Sequence, residues 1–277
     1  MKIILSRKGF DSSFGGYPSP IMPDGRMVSL PIPSKDDTAS FGNIFSGEQS
    51  YLEMISDILP CIKLNGEKIS LNSGTTCHLD PDLNKSTIKR LGGWKPMFGQ
   101  TDAAETHLNN QGVKERDLFL FFGWFRRTIS MEGRLVFDKK DRGSQIIYGY
   151  LQIGRKVIVD HDRIPEWAKY HSHADVSIPR KKNNSIYIAK DGLSWNPQMR
   201  GAGCFYFDEE LVLTKDGCSR SRWKQLNFLK CMSFHSEASM KKDYFQSAAR
   251  GQEFVISDNE EAETWAKELI ANHKLID

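Results

Sequence analysis

Residues 118–122 are apolar at every position, and Gly123, Trp124 and Phe125 follow at once. A continuous apolar run of this length, bounded by polar residues, predicts a strand buried at the centre of a sheet. The same reading gives strands at 146–153, 156–159, 186–189, 204–207 and 211–213, rich in β-branched and aromatic residues. A short apolar run at 3–5 predicts one more, expected beside the 118–125 strand. Helical patterning lies towards the two ends. Ser46 with Gln49 forms a capping signature ahead of Leu52, Ile55 and Leu59, so a helix is predicted over 47–59, closed by Pro60. Asp102 with Glu105 opens a second helix that Gly112 ends. A third is predicted over 234–250 with Gly251 as its stop. A last one begins at Asp258 and buries Trp265, Leu269 and Ile270. Strands grouped in the middle with helices outside predict an α+β protein. The expected form is a single domain, 1–277, with a central, mainly antiparallel sheet flanked by helices.

Composition narrows the class without naming a function. At 277 residues, 39% hydrophobic and 26% charged, the chain can bury a large core. No run approaches the ~20 apolar residues of a membrane span, and the start is too short for a signal-peptide core, so a cytoplasmic location is expected. Five cysteines without a CxxC pair argue against a disulfide framework and a structural zinc site. The net charge of +3 is no global nucleic-acid signal, but the cations cluster. Arg126–Arg127, Lys139–Lys140–Arg142, Arg180–Lys181–Lys182 and Arg220–Arg222–Lys224 are patches that meet phosphate or simply face water.

Candidate chemistry concentrates just after the first strand. Arg7, Lys8, Phe10 and Asp11 are followed by Ser12, Ser13, Gly15 and Gly16. Two cations can hold a phosphate, a carboxylate can place a proton, and glycines let backbone approach a ligand. The plainer reading is a polar turn with Asp11 bonding its own backbone. His171 and His173 would share a face of a strand, with His161, Asp162 or Asp175 as further metal ligands, but nothing else in the segment demands a metal. His78 with Asp80 and Asp82 could likewise bind a cation but reads first as turn chemistry, Asp102 as a helix cap, and His107 as a cation near that helix's end. GxxxxGK[ST], GxGxxG after a strand, GxSxG and the zinc-deaminase signature are all missing. These absences remove kinase, dinucleotide oxidoreductase, α/β-hydrolase and zinc-deaminase readings, and no metal or cofactor is expected.

Four segments carry a resemblance: SRKGFDSSFGGYPSPI with the following LPIP, then DLFLFFGWF, IYGYLQI and RGQEFV. Together they resemble the third nucleotide modification associated domain family. The resemblance implies proteins that act on or recognise modified bases in DNA, often in conflict between phages and bacteria. The expected reaction is DNA glycosylase-like: excision of a modified base in anti-phage defence, from DNA whose target base is flipped into a pocket. Cleaving an N-glycosidic bond builds positive charge on the sugar, which a carboxylate stabilises. The catalytic candidates are Asp11 and Glu253. Arg7, Lys8, Phe10, Trp124, Arg126, Arg127, Arg250 and Gln252 are the candidates for holding DNA and base. The expected partner is DNA carrying modified bases, with no membrane involved. Two alternatives stay open: a non-catalytic reader of modified bases, and an enzyme that installs or edits a modification.

Overall fold

The computed structural model describes residues 1–276 except 65, 176–181, 249, 250 and 252. Among these, a ten-stranded sheet organises the chain. Its main path runs Glu253–Ile256, Ile3–Arg7, Leu118–Met131, Ser144–Ile158, Ser185–Ala189, Met97–Gln100. The first strand lies parallel to the apolar central one, with Ile3 opposite Leu118 and Arg7 opposite Phe122. All other neighbours along this path are antiparallel. The expected 146–153 and 156–159 strands form one long strand, and its register shifts near Gly154.

The path does not stay flat. Six strands at about 4.8 Å spacing would separate its two edges by roughly 24 Å. Yet Gln100 on one edge donates its Nε2 to Glu253 Oε1 on the other at 2.6 Å. The sheet therefore curls until side chains from its two edges meet. Register shifts at Phe121/Phe122 and Ile153/Arg155 supply extra local twist. Aromatic rings fill the curl: Phe98 lies 5.0 Å from Phe119, 5.2 Å from Phe121 and 5.9 Å from Tyr187, centroid to centroid. Each is fully buried, and such a ring contributes about 2–3 kcal/mol by burial. A second apolar cluster, including Phe10, Phe41, Ile55 and Ile62, packs the early segment.

Three α-helices are described, Tyr51–Ile55, Asp102–Asn110 and Glu260–Asn272, so the architecture is mixed α/β with fewer flanking helices than expected. The predicted 234–250 helix is absent among the described residues of that span. It gives way to a single 3-10 turn, Glu237–Ser239, and a short strand, Phe245–Gln246, paired with Arg222–Trp223. Phe234 at φ +67° breaks the helical path, and burying Phe245 beside Trp223 outweighs local helix propensity. Ser46 and Gln49 belong to a small hairpin instead of a cap. The working capping box is Ser50–Glu53. Thr101, not Asp102, stands at the N-cap of the second helix. No helix of the described residues is long and apolar enough to cross a membrane.

Candidate functional site

Side chains alternate along a strand, so consecutive residues go to opposite faces. This separates the two cations expected to act together. Arg7 turns to the face that holds Phe122 and Phe254, sits 5.7 and 5.8 Å from their centroids, and donates to Ala248 O. Burial lowers its pKa, Asp11 opposes that shift, and Arg220 adds to it. Ser6 and Lys8 share the other face. Ser6 pairs directly with Glu253, which places both side chains on one side of the sheet.

On that side lies a buried polar group. Lys8 Nζ is 2.9 Å from Glu253 Oε1 and 4.4 Å from the centre of the Phe98 ring. Gln100 donates to the same carboxylate oxygen. The Glu253 side chain is 1% exposed and that of Lys8 10%. Glu253 Oε2 and Ser6 Oγ are buried without a hydrogen-bond partner among the described residues. Buried polar atoms are almost always satisfied, so two open ones on one face mark a place for a ligand or water.

A second polar centre forms where Gly99 meets the segments around 78 and 173. Gly99 N donates to Asp80 Oδ1 at 2.7 Å. A side chain at 99 would overlap the His173 ring, since a Cβ there would fall 2.2 Å from it. His78 Nδ1 lies 3.1 Å from Asp37 Oδ2, and His173 Nδ1 lies 2.7 Å from Asn184 Oδ1. His171 Nε2 approaches Asp80 Oδ1 at 3.3 Å without an aligned hydrogen bond. Burial works against the charge on His78, but the Asp37 hydrogen bond and the Asp80 and Asp37 charges outweigh it and raise its pKa, with Lys8 opposing. Burial would raise Asp80, but the His171 contact and the charges of the three histidines bring it down to about 2. His173 is pushed down to about 4, chiefly by burial.

The remaining expected residues scatter. Asp11 Oδ1 accepts from Ser13 N and Phe14 N, both at 2.7 Å, so Asp11 closes a turn. It shares its surroundings with Arg7 and Arg220, away from the Glu253 group. Phe10 is 1% exposed and belongs to the second core, leaving no free ring face for a base. Its ring fills the space in front of Gly15, which holds φ +75°. Trp124 carries Arg220 over its ring at 3.8 Å. Arg126 donates to Asp138 O, and Arg127 pairs with Glu209. Arg250, Gln252, Arg180 and Lys181 lie outside the described residues. His171 and His173 follow the 3-10 turn Glu166–Ala168 in a turn, not a strand. Asp37, Gln100 and Asn184 carry no signal in the sequence, because only the fold brings them to the site.

Fold and site together define a mixed α/β protein whose curled sheet encloses a buried, incompletely satisfied carboxylate. The chain belongs to the nucleotide modification associated domain 3 family, whose sequence model matches residues 2–257. That membership links it to nucleotide modification. No curated protein and no solved structure matches it.

Proposed function

We propose that the chain is an enzyme acting on a modified base in DNA, with Glu253 as its reactive carboxylate and base excision as its reaction. The observation that carries this is a buried Glu253 whose Oε2 has no hydrogen-bond partner among the described residues and whose other oxygen is fixed by Lys8 and Gln100. One oxygen is anchored, and the other, buried and without a hydrogen-bond partner among the described residues, is assigned the contact with a sugar or a water. Excision asks for such a group, because positive charge develops at the sugar as the bond to the base breaks. A water-poor setting strengthens that interaction. Lys8 and Gln100 position the carboxylate, and Ser6 Oγ offers a hydrogen bond on the same face.

The test incubates the full chain with DNA carrying modified bases and with unmodified DNA, and scores abasic sites. Glu253→Gln keeps the shape and removes the charge. It should lower base release more than about a hundredfold, equivalent to roughly 3 kcal/mol of transition-state stabilisation, and leave DNA affinity within a few-fold. Selective binding of modified DNA with no abasic sites from the wild type would instead identify a reader.

A further inference from the structure

His78, Asp80 and His173 each offer one ligand atom, and these atoms lie within 4.8 Å of one another. We infer that they form a binding site for a divalent first-row transition-metal ion, with Asp37, Asn184, Gly99 and His171 as its outer shell. The residues come from two segments 95 positions apart that only the fold unites.

The outer contacts make this more than a cluster. His78 gives its Nδ1 to Asp37, which leaves Nε2 for an ion. His173 gives its Nδ1 to Asn184 Oδ1, which leaves its Nε2, 3.9 Å from Asp80 Oδ2. Asp80 has Oδ1 held by Gly99 N, which leaves Oδ2. Every proposed ligand thus has one polar atom occupied and a second left for the ion, the arrangement by which a protein orients metal ligands. An independent sign is His171 Nε2, in a 1% exposed residue, with no aligned partner among the described residues although it sits 3.3 Å from Asp80.

Size and chemistry agree. Two ligands each about 2.1 Å from one ion at a tetrahedral angle sit about 3.4 Å apart. The 3.9 Å between His173 and Asp80 closes to that with a few tenths of an ångström of rotamer adjustment. Two imidazoles and one carboxylate suit zinc, iron, cobalt or manganese better than magnesium or calcium, which prefer all-oxygen sets. Three protein ligands leave at least one coordination position for water or another small ligand. This inference does not rest on the role given to Glu253, and its readout is binding alone.

The experiment treats the full chain with a chelator, removes the chelator, and titrates Co²⁺ while recording visible absorption and melting temperature. One equivalent should bind, with d–d bands and a higher melting temperature. Zn²⁺ should displace it. His78→Gln and His173→Gln should each weaken Co²⁺ more than about a hundredfold, and Asp37→Asn about 10–100-fold. His107→Gln should change nothing. If a variant fails to fold, the wild type still decides: bound Co²⁺ must broaden the ring signals of His78 and His173 and leave those of His161 and His235 sharp. Absent absorption bands with an unchanged melting temperature overturn the site. So does undiminished binding in the His78→Gln/His173→Gln double variant, which would place the ion elsewhere, with Asp208, Glu210 and His273 the other candidate group among the described residues.

Discussion

Lys8 and Glu253 are 245 positions apart in sequence and 2.9 Å apart in space. Their ion pair ties the end of the first strand to the start of the Glu253–Ile256 strand, inside the curl of the sheet. Both ends of the family match therefore contribute to one buried contact.

Removing one partner of such a pair strands the other charge in a poorly hydrated place. Lys8→Met should cost about 3–5 kcal/mol of unfolding free energy. The double variant Lys8→Met/Glu253→Gln should cost clearly less than the sum of the two single changes, because no charge is left alone. Urea unfolding of the four proteins measures the coupling. Additivity within about 0.5 kcal/mol would mean that the pair carries no mutual stabilisation.

Asp11 makes a different prediction from the one its place in the sequence invites. Two backbone N–H groups converge on its Oδ1. Asp11→Asn keeps that oxygen and should leave stability within about 0.5 kcal/mol, whereas Asp11→Ala should lose about 1 kcal/mol. With Glu253 as the reactive carboxylate, base release should survive Asp11→Asn. Loss of activity in a stable Asp11→Asn protein would return the catalytic role to Asp11.

How far the sequence could be read follows from the range of the forces involved. The run 118–122 states its own burial, so the central strand and its neighbour at 3–5 were legible, as was the turn chemistry of Asp11. The 234–250 segment was not, because Phe245 is placed by Trp223 and no local preference reveals that partner. Alternation along 6–8 was legible in principle, and it would have separated Arg7 from Lys8. The meeting of His78 with His173 was not, since it depends on how far the sheet curls and on a glycine at 99.

That glycine can be tested directly. A methyl group at 99 would overlap the His173 ring, with a Cβ 2.2 Å from it, so the ring or the strand must shift. Gly99→Ala should cost about 1–3 kcal/mol and shift the NMR signals of the His173 ring. Gly92→Ala, where a Cβ meets nothing within 4 Å, is the matched control and should be nearly silent. Equal melting temperatures for the two variants would remove the packing role of Gly99.

His235 sets a pH dependence whose sign can be worked out. Its Nε2 accepts from Ala248 N at 2.9 Å and its Nδ1 faces Ser233 O at 3.0 Å, so the ring fits as a neutral imidazole. Burial lowers its pKa, the Ser233 carbonyl opposes the shift, and the charge of Arg7 adds to it. Below an unfolded value near 6.5 the unfolded chain binds a proton that the folded chain still refuses. Protonation then favours the unfolded state. The contribution is complete above that pH and is lost as pH falls towards the folded pKa. His235→Gln can keep both hydrogen bonds and cannot titrate, so it should lose less stability between about pH 7.5 and about pH 5 than the wild type. The slope should shrink, not vanish, because His107 and His173 are also held below their usual range. Urea midpoints of both proteins at the two pH values give the answer, and parallel losses in the two would show that His235 titrates no differently in the folded and unfolded chain.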